Sequence, residues 1–135
     1  EEIERKKINF IFEIAEKEFP KILADKNKIK LAVQNLLDNA VKYTAENGQI
    51  RVGLNFSAKE IEFSVKDTGI GIPEMQKQKI FKRFFRAINA VESKKSGTGV
   101  GLSIVKNIIE SHNGKIWFES GEGKGSTFYF TLPIE

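Results

Sequence analysis

Ile50-Arg51-Val52-Gly53-Leu54-Asn55-Phe56-Ser57-Ala58-Lys59-Glu60-Ile61-Glu62-Phe63-Ser64-Val65-Lys66-Asp67 is the stretch from which the fold is read. Ile50, Val52, Leu54 and Phe56 alternate with other residues, and so do Ile61, Phe63 and Val65. That is the period of half-buried strands, and residues 57–60 between them are few enough for a hairpin. Upstream, Asn47-Gly48 supplies turn chemistry that ends a helix over 26–44. Its apolar residues Ile29, Val33, Leu36, Leu37, Ala40 and Val41 recur at helical spacing, and Asp25 can cap it. Before it, Lys21-Ile22-Leu23-Ala24 is a short extended piece after the break at Pro20. Ile8, Phe10, Phe12 and Ile14 alternate with Asn9, Ile11 and Glu13 as a further strand.

Downstream, Asp67 ends its strand at the turn Thr68-Gly69-Ile70-Gly71-Ile72-Pro73. Pro73 stands just before, or inside the first turn of, a helix expected over 74–85. Residues 88–98 are polar and patternless, a loop. Leu102, Ile104, Val105, Ile108 and Ile109 make a last helix, stopped by Asn113-Gly114. Strands over 115–119 and 126–132 follow, joined by the glycine-rich turn 120–125. The sum is an α/β (α+β) two-layer sandwich: a mixed, largely antiparallel sheet of about five main strands with three helices on one face. The other face of the sheet is then covered or partly polar.

The 135 residues are read as one domain, without internal repeat or interdomain linker. The charged start, Glu1-Glu2-Ile3-Glu4-Arg5-Lys6-Lys7, is expected to be the remnant of a preceding helix or linker. It has none of the apolar and small-residue pattern of a signal peptide. No apolar run approaches the ~20 residues needed to cross a bilayer. The absence of cysteine excludes disulfide, thiolate-metal and cysteine-nucleophile chemistry and is compatible with a reducing cytosol, and one histidine excludes a multi-histidine zinc site. The net charge of +4 favours an anionic ligand or acidic partner, or merely solvated faces.

Three segments carry polar groups in patterns that suit chemistry. On the helix, with Asn35 at zero, Asn39 falls at roughly 40°, Lys42 at roughly −20° and Tyr43 at roughly 80°. One flank thus presents two amides, an ammonium and a phenol. A hard cation such as Mg²⁺ keeps several waters and needs only one such amide oxygen beside the phosphates of ATP. Lys42 can reach phosphate, and Tyr43 offers a ring and hydroxyl near a base or ribose. The wet side of an amphipathic helix would account for the same residues.

Asp67 is an acceptor-only carboxylate, able to pair with the exocyclic amine of adenine and to reject the carbonyl that guanine has there. Such a charge-assisted bond is worth about 1.5–3 kcal/mol. Gly69 and Gly71 let a base approach the backbone. A simple strand-to-loop turn is the competing account. Gly97-Thr98-Gly99-Val100-Gly101, just before the last helix, exposes backbone N–H groups suited to phosphate. It is neither a dinucleotide fingerprint, for lack of a preceding strand, nor a P-loop, for lack of the Gly-Lys-Ser/Thr ending.

Asn35–Thr44, Asp67–Pro73, Ile80-Phe81-Lys82-Arg83-Phe84-Phe85-Arg86 and Gly97–Ser103, in this order, closely resemble the N, G1, F and G2 boxes of the catalytic, ATP-binding domain of sensor histidine kinases. Gly123-Lys124-Gly125-Ser126-Thr127-Phe128 matches the terminal glycine hairpin of that family, and the likeness covers roughly 20–132. The resemblance implies the Bergerat-type ATP-binding fold. It implies Asn39 as the Mg²⁺ ligand with Asn35 as its neighbouring polar contact. Lys42 and Tyr43 would be phosphate and nucleotide contacts, and Asp67, with Gly69, Gly71 and Ile72, the adenine reader. Arg86 would meet the γ-phosphate. Gly97, Thr98, Gly99, Val100, Gly101 and Leu102 would form the lid base and phosphate cradle, and Thr127 would touch the adenine side through water.

The implied reaction is transfer of the γ-phosphoryl of ATP to a histidine on a separate dimerisation and phosphoacceptor domain, with Asn39, Lys42 and Arg86 as the catalytic set. This chain alone is then not expected to autophosphorylate. A response regulator is the downstream partner. The isolated domain is expected to be a monomer, its parent a homodimer, and its place cytoplasmic whether or not the parent is anchored in a membrane. His112, the single histidine, is read as structural or exposed, and Phe81 and Phe84 as anchors of the lid's start rather than stacking partners of ATP. The rivals are a serine kinase or ATP-gated ATPase with the same pocket, and a non-catalytic nucleotide-binding module. The gyrase-type machines use an acid on the first helix where Asn35 stands here. Nucleic-acid binding is not expected, since no basic stripe with exposed aromatics is present.

Overall fold

The computed structural model describes residues 6–72, 74–81 and 101–134. Five strands, β1 (Asn9–Ile14), β2 (Gln49–Phe56), β3 (Glu60–Asp67), β4 (Lys115–Ser120) and β5 (Ser126–Pro133), form one sheet in the order β1-β2-β3-β5-β4. Only the β1–β2 pair is parallel; the other three are antiparallel. A parallel pair needs a long crossover, and helix α1 (Lys26–Tyr43) supplies it. The β2–β3 hairpin closes through residues 57–60, where the Ser57 N–H donates to the Glu60 carbonyl at 2.9 Å.

Register turns the sequence alternation into two faces. Ile50, Val52 and Leu54 lie beside Asp67, Val65 and Phe63, which in turn lie beside Ser126, Phe128 and Phe130. This face is the core, with Ile50 fully buried and Phe63, Val65, Phe128, Phe130 and Leu132 nearly so. Helix α1 covers it with Ala32, Leu36 and Ala40, and helix α2 (Gly101–Ser111) with Val105, Ile108 and Ile109. Asp25 caps α1 as expected: its Oδ1 accepts from the N–H groups of Asn27 (3.1 Å) and Lys28 (3.2 Å). The opposite face is polar, carrying Glu62, Ser64 and Lys66, with Trp117 stacked on Tyr129 at 5.2 Å.

Two details depart from the sequence expectation. Phe12 and Ile14 share the core face by register, yet are 63% and 52% exposed, because the helices sit over β3, β4 and β5 and not over the β1 edge. Among the described residues there are two α-helices rather than three; Glu74–Lys79 is a 3₁₀ helix, and residues 82–85 of the expected third helix lie outside the described residues. The sequence Glu-Met-Gln-Lys-Gln-Lys has no apolar stripe to seat an α-helix on the sheet, and Met75 is exposed. Ile80 is buried, and Phe81 meets Phe118 and Phe128 edge-on at 5.9 and 6.3 Å. Phe81 is therefore a core aromatic.

Candidate functional site

The two helices and the C-terminal end of β3 bring three groups of residues together. On α1, Leu36 and Ala40 enter the core, so the flank one residue round carries Asn35, Asn39, Lys42 and Tyr43, each half-buried. Asn35 stands against the start of α2: a Cβ on Gly101 would lie 3.5 Å from the Asn35 Oδ1. The Asn39 and Lys42 side chains make no hydrogen bond or ion pair with any other described residue. Half-buried polar groups without protein partners are open to a ligand. Leu102, at the start of α2, packs against the core. Arg86, Gly97, Thr98, Gly99 and Val100 lie outside the described residues.

Asp67 is 8% exposed at the end of β3, and its Oδ1 accepts from the backbone N–H groups of Gly69 (2.8 Å) and Ser126 (3.3 Å). Burial raises its pKa from 3.8 to about 6 against the lowering effect of those two bonds. A carboxyl kept this dry, with only one oxygen engaged by neighbours, holds its other oxygen for a donor from outside.

The turn after Asp67 is fastened on both sides. Gly69 packs against the end of α1, where a Cβ would crowd the Tyr43 carbonyl oxygen and the Asp67 carboxylate. Gly71 has φ +72°, and a side chain there would strike the Gly121 carbonyl. The Gly123 N–H donates to the Ile70 carbonyl (2.6 Å), and the Ile72 N–H to the Ser120 hydroxyl (2.8 Å). These glycines thus serve contacts within the protein itself, Gly69 with the end of α1 and Gly71 with the β4–β5 turn. Ile72 is buried in the core cluster.

Thr127 is not brought to this place. Register pairs it with Lys66 and Glu119 on the polar face, the side away from the Asp67 carboxyl. The residue beside Asp67 is Ser126, whose N–H touches the carboxylate and whose hydroxyl meets that of Ser120 at 2.8 Å. The alternation itself held the signal: counting back by twos from the core residues Phe130 and Phe128 arrives at Ser126. His112 is structural. Its Nε2 accepts from the Asp25 N–H at 3.0 Å, so Nδ1 carries the proton and donates to the Ile108 carbonyl at 2.8 Å.

An amide-lined helix flank, a dry aspartate at a glycine turn and a second helix opening at a glycine are the elements of a nucleotide site. The family model described as histidine kinase-, DNA gyrase B-, and HSP90-like ATPase matches residues 24–135. The chain belongs to this family. Within it, the chain is of the histidine kinase type. The catalytic domain of histidine kinase ThkA is 39% identical with a TM-score of 0.81, over 97% of this chain and 83% of that one. ThkA in complex with the response regulator protein TrrA matches at 36% identity and a TM-score of 0.78, over 98% of this chain and 36% of that one. Full-length ShkA in complex with AMPPNP matches at 28% identity and a TM-score of 0.81, over 98% and 27%. Sensor histidine kinase WalK of Bacillus subtilis (strain 168) is 42% identical over 113 residues, 82% of this chain and 18% of WalK. This histidine kinase-type domain spans 18% of the length of WalK and 33% of that of the adaptive-response sensory kinase SasA of Synechocystis sp. (strain ATCC 27184 / PCC 6803 / Kazusa). No helix among its described residues is long and apolar enough to cross a membrane.

Proposed function

We propose that this histidine kinase-type domain binds Mg·ATP and transfers the γ-phosphoryl group to a histidine of a separate dimerisation and phosphoacceptor domain in two-component signalling. The observation that carries the base-reading part is the Asp67 carboxyl, buried yet with one oxygen uncommitted, beside the end of the helix that bears Lys42. The free oxygen of Asp67 takes the exocyclic amine of adenine, and Ser126, whose N–H already donates to the other oxygen, is its neighbour on β5. Tyr43 lies along the base or ribose. Gly97, Thr98, Gly99, Val100, Gly101 and Leu102 cradle the phosphates, and Lys42 and Arg86 neutralise their charge.

The half-buried amide of Asn39, without a partner among the described residues, fits one oxygen ligand of Mg²⁺, with Asn35 as a polar neighbour. Bound there, the ion would supply charge neutralisation on the phosphate oxygens. The acceptor imidazole nitrogen attacks the γ-phosphorus with its own lone pair, a P–N bond forms, and the P–O bond to ADP breaks. No general base is required of this chain; its part is placement and charge. Asn35 favours this over a water-activating ATPase, since an amide cannot take a proton from water. AMPPNP on ShkA supports the nucleotide, and TrrA on ThkA supports a response regulator as downstream partner. A cytoplasmic location, a monomeric isolated domain and a homodimeric parent complete the proposal.

The test is incubation with γ-labelled ATP, with and without a phosphoacceptor-domain protein. Acid-labile label on the partner, and none on this chain alone, is the expected result. Steady ATP hydrolysis by the chain alone would favour the ATPase reading instead.

A further inference from the structure

The C-terminal turn of α1 is closed by a residue far away in sequence. Lys6 is 8% exposed, and its Nζ donates to the carbonyl oxygens of Val41 (3.0 Å), Lys42 (3.0 Å) and Thr44 (3.1 Å). The Thr44 hydroxyl donates to the Ala40 carbonyl at 2.7 Å. Terminal helix carbonyls lack intrahelical partners and carry partial negative charge, so one ammonium with three donors both satisfies and attracts them. Lys6 is itself held in place, its carbonyl accepting from the Asn47 N–H at 2.8 Å.

The remaining carbonyl of that turn, Tyr43, abuts Gly69, and the Gly69 N–H donates to the Asp67 carboxylate at 2.8 Å. Direct contacts therefore run from Lys6 through the turn that bears Lys42 and Tyr43, and on through Gly69 to Asp67. The phosphate-side and base-side groups of the pocket meet at the spot that Lys6 fastens.

We infer that Lys6 is a positioning residue of the nucleotide site. Its ammonium fixes the last turn of α1 against Gly69, and so sets the separation at which Lys42 and Asp67 engage the two ends of one nucleotide. The inference rests on the ATP reading above. Stability alone would also account for a buried, triply bonded lysine, and the two accounts differ in what they do to ligands of different length.

The experiment is calorimetry on the full chain with Mg·ATP, adenosine and inorganic triphosphate, comparing wild type with Lys6→Met, which keeps the stem and removes the ammonium. Adenosine and triphosphate each engage one end and should bind Lys6→Met within about twofold of wild type, while Mg·ATP, which must span both, should lose about tenfold. Lys6→Arg, keeping the charge and donors, should recover most of that loss. A core variant remote from the turn, Leu132→Ala, matched for lost melting temperature, should leave the ATP-to-adenosine ratio unchanged. Equal losses for all three ligands, or unchanged Mg·ATP affinity, overturns the inference. Should Lys6→Met not fold, Lys6→Gln is held to the same criteria. Failure of the wild type to bind ATP would sink the ATP reading instead.

Discussion

Asn35 and Gly101 face each other across the gap between the two helices, the amide oxygen 3.5 Å from where a glycine Cβ would be. That distance is ordinary van der Waals contact, so the described residues leave room for a methyl group at Gly101. Gly101→Ala should leave thermal stability unchanged or raise it by up to about 1 kcal/mol, since alanine suits a helix better. If bare backbone at this point admits phosphate, Mg·ATP affinity should still fall. Paired melting curves and titrations check this, and unchanged ATP binding would remove Gly101 from the cradle.

Asp67→Asn should weaken ATP by about 1.5–3 kcal/mol and spare GTP, because a carboxylate next to the adenine amine is a charge-assisted acceptor and the amide is not. Equal losses for both nucleotides would count against base reading.

Burial places the Asp67 pKa at about 6 rather than 3.8, which links the site to pH in two ways. A folded-state pKa above the unfolded one means the fold gains from proton binding: this contribution is full below pH 3.8 and is lost as pH rises through about 6. The ligand-free chain at pH 7 therefore carries a cost of about 3 kcal/mol that Asp67→Asn relieves, so that variant should be more stable at pH 7 and gain little at pH 3.5. Adenosine, which has no phosphate to titrate, should bind more tightly as pH climbs through 6, and Asp67→Asn should flatten the profile. A flat wild-type profile would refute the assignment.

Asn39→Ala should abolish magnesium-dependent ATP binding or turnover while circular dichroism stays native, because its side chain bonds to no other described residue. Calorimetry showing unchanged Mg·ATP affinity and activity would refute the ligand role.

His112→Ala should cost about 1 kcal/mol of stability, since the ring bridges the end of α2 to the Asp25 N–H. Label transfer to the phosphoacceptor partner should not change. Loss of transfer without loss of stability would give His112 a chemical role.

The strands were legible because alternation is a local signal and each register pair followed it. What escaped had tertiary causes. Lys6 lies in the charged stretch read as the remnant of a preceding helix or linker, and only the folded chain reveals that three carbonyls accept from it. The 3₁₀ helix at 74–79 followed a proline that promised an α-helix, but its polar sequence has no apolar stripe to bury. Phe12 and Ile14 alternate as well as Ile50 and Val52 do, yet alternation cannot say how far along the sheet the helices reach. Thr127 and Ser126 are one position apart, which in a strand exchanges one face for the other: Ser126 stands beside Asp67, and Thr127 pairs with Lys66 and Glu119. For His112 the helix end at Asn113-Gly114 leaves a structural and an exposed reading open, and the fold has its ring bonded to the Asp25 N–H and the Ile108 carbonyl.

The stapling of the Asp67 turn to the β4–β5 turn through Ile70, Ile72, Ser120 and Gly123 bears on ligand discovery. A wall already rigid before a guest arrives exacts little ordering entropy from it. Small amine-bearing heterocycles lacking any phosphate should therefore be captured there with high ligand efficiency, making that wall the natural starting point for fragment-based inhibitors.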